Sequence, residues 1–292
     1  MSGAMTANRI GWIGMGKMGL PICKRLKGAG FHVKALCRSH ASQANAMANG
    51  LEIAATVAEA AKAVDVVFSA IPDDQALIDI ALGSGGLETC LRPEQIYVDV
   101  STVSPELSAR VAEALSPIGC AYLRAPVSGS TATATQGALT ALVSGPAETF
   151  GAMADVFAAF TRKAFWVGDR EQARYLKLSI NAMLGATAAL LAESLSLALK
   201  GGMDIQTIMD VVCESAVASP LIQYKRGVIT SGDYTAAFSA AQMLKDFDLI
   251  AAAAAATACD MPLIESIRKQ YLTVVERGLG DKDFFVLTAR NV

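Results

Sequence analysis

Arg9-Ile10-Gly11-Trp12-Ile13-Gly14-Met15-Gly16-Lys17-Met18-Gly19-Leu20-Pro21 is the stretch on which the fold turns. Arg9 to Gly14 is a short apolar run ending in glycine, the composition of a buried strand. Leu20 to Lys27 then carries a helical pattern. Pro21 lies in its first turn, where a missing N–H costs little, and Gly28 and Gly30 end it. Between strand and helix, Gly14, Gly16 and Gly19 are spaced G-x-G-x-x-G. The first glycine permits a tight turn. The second removes a side chain where the backbone approaches a pyrophosphate, and the third lets helix and strand pack closely. Phosphates would rest on the helix N-terminus, where unpaired N–H groups and the dipole favour negative charge. The segment predicts a dinucleotide site, with Gly14, Met15, Gly16, Lys17, Met18 and Gly19 around the phosphates.

Working outward, Phe31 to Cys37, Val64 to Ile71, Gln95 to Val100, Ala121 to Ala125 and Leu139 to Val143 read as further short strands. Pro72 stops the second of these. Helical patterns lie between most of them, and that alternation predicts a mainly parallel sheet covered on both faces. The character changes near residue 168. After Trp166-Val167-Gly168-Asp169 the pattern is helical: one long helix from about Glu171 to Lys200, ended by Gly201-Gly202, another from near Asp204, and others after Pro220 and Pro262. The expectation is an α/β protein: a Rossmann-type dinucleotide-binding domain over 1–168, then an all-α domain over 169–292. No Gly/Ser-rich linker separates them, so the long helix itself should join the two.

Bulk properties exclude several classes. The 292 residues suffice for two domains and a sizeable core. The net charge is -2, and basic and acidic residues balance in each half, so neither nucleic acid nor an anionic membrane surface is an expected partner. Cys23, Cys37, Cys90, Cys120, Cys213 and Cys259 are scattered without a C-x-x-C pair, which argues against a metal site or a disulfide framework and for a cytoplasmic protein. Met1 to Ala7 reads as a disordered leader without a secretory pattern. The apolar stretch Ala182 to Leu199 is interrupted by Glu193 and hydroxyl residues, as in a buried helix rather than a membrane span.

The end of the second strand addresses which dinucleotide binds. An acidic residue there would hold the 2′-hydroxyl of NAD. This chain has Leu36-Cys37-Arg38-Ser39-His40 instead. Arg38 can pair with a 2′-phosphate through its planar fork, and Ser39 can add a hydroxyl. NADP is the expected cofactor, with NAD as the second choice.

Lys177 and Asn181 are four residues apart on the long helix and share a face. Leu176, Leu178, Ile180 and Leu184 surround them with apolar side chains. Desolvation lowers a lysine pKa, which suits proton transfer near neutral pH. On spacing alone such a pair is ordinarily a solvated helix face.

The chain as a whole resembles the β-hydroxyacid dehydrogenases, which include 3-hydroxyisobutyrate dehydrogenase and tartronate semialdehyde reductase. Four separated segments carry the resemblance in order. They are Ile10 to Pro21; Asp99-Val100-Ser101-Thr102-Val103-Ser104-Pro105 with Ala125-Pro126-Val127-Ser128-Gly129-Ser130; Ala173 to Asn181; and Lys245-Asp246 on a late helix. The resemblance implies an active site in a cleft between a Rossmann-type and a helical domain. It implies Lys177 as the general acid/base and Asn181 as a substrate contact. Ser128, Gly129 and Ser130 would receive the carboxylate of a small substrate. Ile71, Pro72 and Thr102 would lie near the nicotinamide, and Lys245 would close over cofactor and substrate. Family members are commonly homodimers or homotetramers. Three departures stand out: Ala173 in place of a glycine, Ser130 in place of the second glycine of S-G-G, and Arg124 where many members are acidic. Arg124 before Ala125-Pro126-Val127 resembles sulfolactaldehyde reductases and admits a strongly anionic substrate; a structural salt bridge is the other reading. Imine reductases share the fold but usually carry Asp or Tyr in place of the lysine, and non-catalytic NADP-binding relatives lack it.

Overall fold

The computed structural model describes residues 8–289; the leader expected over Met1–Ala7 lies outside them. Among the described residues one sheet contains β1 (Arg9–Ile13), β2 (His32–Leu36), β3 (Glu52–Ala54), β4 (Val66–Ser69), β5 (Ile96–Asp99), β6 (Ala121–Arg124), β7 (Val127–Ser128), β8 (Leu139–Ser144) and β9 (Thr161–Gly168). The order is β3-β2-β1-β4-β5-β6-β8-β7, with β9 on β8. β1 to β6 run parallel, and β8 runs antiparallel to β6 and β7. This is the Rossmann order with additional strands at one edge. The order reverses between β1 and β4, and in such sheets ligands bind beyond the carboxyl ends of the strands at that reversal.

Strand alternation explains why both faces are covered. Trp12, Phe68, Val98 and Leu123 point into one hydrophobic cluster; Ile13, Val67, Tyr97 and Tyr122 point into another. Trp12 and Phe68 are paired across β1 and β4, and their rings stack at 5.2 Å. β3, β7 and β9 are strands the sequence reading does not name. β3 and β7 are too short to show a period. β9 is long, but its pairing with β8 shifts register at Leu139/Thr140 and at Val143/Ser144. Such shifts break the two-residue alternation by which a strand is recognised.

The chain divides into two compact units, one ending at Lys177 and the other beginning at Leu178. That division falls inside the helix Gln172–Lys200, whereas the change in sequence character at residue 168 coincides with the end of β9. The second unit contains the rest of this helix with helices Ile205–Glu214, Pro220–Ser231, Ala240–Ala256 and Pro262–Val274. Their starts follow capping chemistry. Asp204 accepts from the N–H groups of Gln206 and Thr207, each at 3.0 Å, and Ser239 forms a capping box with Gln242. The helix Gln172–Lys200 is long and apolar enough to cross a membrane, but Leu178, Ala182, Ala188, Leu191 and Leu195 sit in the second unit's core with Met243, Phe247 and Tyr271. It is a core helix. Gly185 allows this packing: a Cβ there would lie 2.3 Å from the Phe247 ring.

Candidate active site

The turn after β1 is built as the glycine spacing demands. Gly14 has φ +99°, and a Cβ on it would lie 2.2 Å from the Ala70 carbonyl oxygen. A Cβ on Gly19 would lie 2.1 Å from the Gly14 carbonyl oxygen. The Trp12 indole donates to that same oxygen at 2.9 Å and fixes the turn. A Cβ on Gly16 would meet nothing within 4 Å. Gly14 and Gly19 are therefore required by the protein's own packing, while Gly16 faces open space. The helix Gly19–Gly28 has no side-chain cap and no acidic residue in its first turn. The Leu20 N–H donates to the Gly16 carbonyl at 3.3 Å, and no acidic side chain of the first turn opposes a pyrophosphate at the positive end of the helix. Lys17 and Met18 complete the turn.

Arg38 and Ser39 are exposed just beyond β2. Among the described residues Arg38 enters no salt bridge. Ser39 has a local duty: its Oγ accepts from the Ser42 N–H at 3.2 Å as the cap of the helix His40–Ala48.

The loops beyond β4 and β5, carrying Ile71-Pro72 and Ser101-Thr102, are tied by a buried polar network. Asp99 Oδ1 accepts from the hydroxyls of Ser69 and Ser101, each at 2.6 Å. Ser101 Oγ in turn accepts from the Ile71 N–H at 2.9 Å. Arg174, from the first turns of the long helix, enters the same network. Its Nη2 donates to Asp99 Oδ2 at 2.6 Å and to Tyr122 OH at 2.9 Å. Its Nη1 donates to the Ser101 carbonyl at 2.7 Å, and its Nε to Ser108 Oγ at 3.1 Å. Arg174 and Asp99 are 1% and 0% exposed. Burial alone would lower the guanidinium pKa, but Tyr122, Asp99 and Glu171 hold it above its ordinary value. Burial pushes the Tyr97 and Tyr122 phenols up, so both stay neutral donors or acceptors here.

Ser128 ends β7, and Gly129 follows with φ +141°, a conformation that favours glycine. Ser130 is occupied by its own helix: its N–H donates to Thr133 Oγ1 at 2.7 Å, and its Oγ accepts from the Thr133 N–H. Ser128, Gly129 and Ser130 thus follow one another at the turn from β7 into the next helix. Arg124 is buried in an ion pair with Glu171, with its guanidinium 4.5 Å from the centre of the Tyr122 ring. The structure thus shows the salt bridge that is one of the two readings of this residue. Ala173 is buried, and its N–H donates to Ser144 Oγ at 3.3 Å.

Lys177 closes the first unit and is only 8% exposed. In the second unit, Asn181 is 3% exposed, and its amide Nδ2 donates to Asp246 Oδ2 at 2.5 Å. A carboxylate accepts but does not donate, so this bond sets which end of the amide is which. Asn181 Oδ1 is left as a buried acceptor with no partner among the described residues. Lys245 pairs with the other oxygen of Asp246 at 2.8 Å. Asp246 thus orients both. Sequence reasoning assigned no role to Arg174 or Asp246. The available signals were a charge three residues before Lys177 and an acid beside Lys245.

Comparison with known proteins agrees with this geometry. Residues 9–168 match the NAD-binding domain of 6-phosphogluconate dehydrogenase, and residues 172–289 match the NAD-binding domain of NADP-dependent 3-hydroxyisobutyrate dehydrogenase. The chain is 30% identical to L-threonate dehydrogenase of Cupriavidus necator, over 95% of this chain and 94% of that protein. It is 28% identical to the NAD-dependent L-serine dehydrogenase of Pseudomonas aeruginosa, over 96% of each. The solved 3-hydroxyisobutyrate dehydrogenase of Mycobacterium tuberculosis with L-serine superposes with a TM-score of 0.88 at 25% identity, over 97% of this chain and 98% of that one. The glycine turn, the Rossmann-ordered sheet and the helical second unit thus have one explanation: the chain belongs to the β-hydroxyacid dehydrogenase family, NAD(P)-dependent oxidoreductases acting on CH–OH groups.

Proposed function

We propose that the protein is an NADP-dependent enzyme interconverting a small hydroxy acid and its semialdehyde or keto form, with Lys177 as general acid/base. The observation that carries this reading is the burial of Lys177, one helical turn before Asn181, in a chain of this family. The nicotinamide supplies or accepts the hydride. During reduction Lys177 Nζ gives a proton to the carbonyl oxygen; during oxidation it takes the hydroxyl proton back. Asn181 presents Oδ1, because its amide nitrogen is held by Asp246, and so meets a donor such as a substrate hydroxyl. Ser128 and Gly129 hold the carboxylate. Lys245, held by Asp246, is a second cation offered to cofactor or substrate.

Arg38 and Ser39 support NADP, as does the NADP-dependent description of the family matched by residues 172–289; the serine dehydrogenase relative is NAD-dependent. Relatives acting on threonate and serine support a small polar hydroxy acid. We also read the enzyme as a cytoplasmic homodimer or homotetramer, supported by free cysteines and by the exposed apolar stripe on the long helix.

The test is turnover over L-threonate, L-serine, 3-hydroxyisobutyrate, succinic semialdehyde and glyoxylate with both cofactors. Lys177→Ala should lower kcat by about 10²–10⁴-fold, the usual range for a positioned acid/base, with NADPH affinity nearly unchanged. Undiminished turnover sinks the assignment. Absence of turnover on every compound favours a non-catalytic NADP-binding protein. Arg38→Ala should weaken NADPH binding far more than NADH binding, and equal weakening removes the 2′-phosphate role.

A further inference from the structure

Arg174 lies three residues before Lys177, and both belong to the first compact unit. We infer that Arg174 is a positioning residue for Lys177: it locks the start of the long helix to the Asp99–Ser101 segment, so that proton-transfer lysine and nicotinamide-side loops form one rigid body. The inference rests on the reading of Lys177 as the acid/base.

The guanidinium reaches four acceptors on three separate pieces of chain. Asp99 and the Ser101 carbonyl flank the segment leading to Thr102. Ser108 lies on the helix Pro105–Leu115, and Tyr122 on β6. Through Ser101 Oγ and the Ile71 N–H the same network reaches the loop beyond β4. The first turn is pinned on a further side, since Ser144 Oγ donates to the Arg170 carbonyl at 2.5 Å and accepts from the Ala173 N–H. A planar five-donor fork can satisfy this arrangement, whereas a lysine is a point charge on a flexible stem. Apolar packing could anchor a helix start without placing a charge in the interior. What the ion pair adds is a single rotation and height for the helix. Lys177 lies about 4.5 Å further along the axis, at 1.5 Å rise per residue, so a shift at Arg174 reaches it almost undiminished. A misplacement of about 1 Å can lower a rate about 10²-fold.

The test is a double-mutant cycle on the full-length enzyme, with the best substrate of the panel and saturating NADPH. Arg174→Lys should lower kcat about 30- to 100-fold, as expected for a misplaced acid/base, with substrate KM changed less than about threefold. In the Lys177→Ala background the same substitution should change residual kcat less than about threefold, because residues acting as one unit are non-additive. Multiplying effects, or an Arg174→Lys enzyme within about threefold of wild type, overturn the inference. Should Arg174→Lys not fold, Ser108→Ala keeps the guanidinium, removes its Nε acceptor together with the Ser108–Tyr122 hydroxyl contact, and decides the matter. Its expected kcat loss is about three- to tenfold and absent in the Lys177→Ala background; an unchanged kcat in the otherwise wild-type enzyme overturns the inference. A fully active Lys177→Ala enzyme overturns the Lys177 reading itself. An impaired Lys177→Ala with an intact Arg174→Lys overturns the positioning role alone.

Discussion

Gly14, Gly16 and Gly19 look alike in the sequence but answer to different partners. Adding a methyl to Gly14 or Gly19 drives it into backbone oxygen, while on Gly16 it enters open space. Gly14→Ala and Gly19→Ala should therefore lower the thermal midpoint, through overpacking of about 1–3 kcal/mol and, at Gly14, a positive φ. Gly16→Ala should melt like wild type and lose NADPH affinity at least tenfold. Scanning calorimetry with fluorescence titration checks both halves; a Gly16→Ala protein that binds NADPH normally removes the phosphate-site reading. Spacing revealed these glycines because the constraint is local in the chain. Arg174 was not legible in this way, because its acceptors lie on segments more than 50 residues upstream. Ser39 and Ser130 carry a second duty that the sequence reading did not assign: each caps its own helix.

At the scale of elements, the long helix has two faces with different fates. One is buried in the second unit's core. On another, Met183, Leu190 and Leu197 are 61%, 68% and 77% exposed and lie seven residues apart. Seven residues return a helix to within about 20° of the same direction, so these side chains form one apolar row, suited to a second copy of the chain. On the proposed homo-oligomer, Leu190→Glu should lower the mass in light scattering toward a monomer while leaving helical content intact; an unaltered mass removes this role from the row. The helix itself was legible from its length and glycine stop, as were the central strands from their continuous apolar runs. β9 was not, because its residues alternate neither in polarity nor in register with β8.

For the whole molecule, stability should fall in alkali. Burial raises the phenols of Tyr97, Tyr122 and Tyr271 above their ordinary 10.0 and pushes the Cys120 thiol from 9.0 to about 11. In each case the folded chain keeps a proton that the unfolded chain releases first. The stabilisation is full below the unfolded values and is lost as pH rises through the folded ones. The thermal midpoint should be insensitive to these groups at pH 8 and decline from about pH 9 upward, the unfolded thiol range. Calorimetry from pH 7 to 11 checks this. A midpoint that holds steady to pH 11 would show that these groups are not shifted as described. At this scale the α/β-then-helical architecture was legible because the sequence changes character once, near residue 168.

The division between compact units inside the helix Gln172–Lys200 has a consequence for recombination. A crossover at the end of β9, where the two family signatures abut, would import Arg174 and Lys177 with the foreign helical half. Asp99, Ser101, Ser108 and Tyr122 would remain behind and meet whatever side chain the donor brings to position 174. Chimeras of these halves should therefore inherit cofactor binding from one parent and a helical fold from the other. They should regain turnover only when both parents supply matching sides of that buried cluster. The heritable module is the cluster, and it straddles the seam.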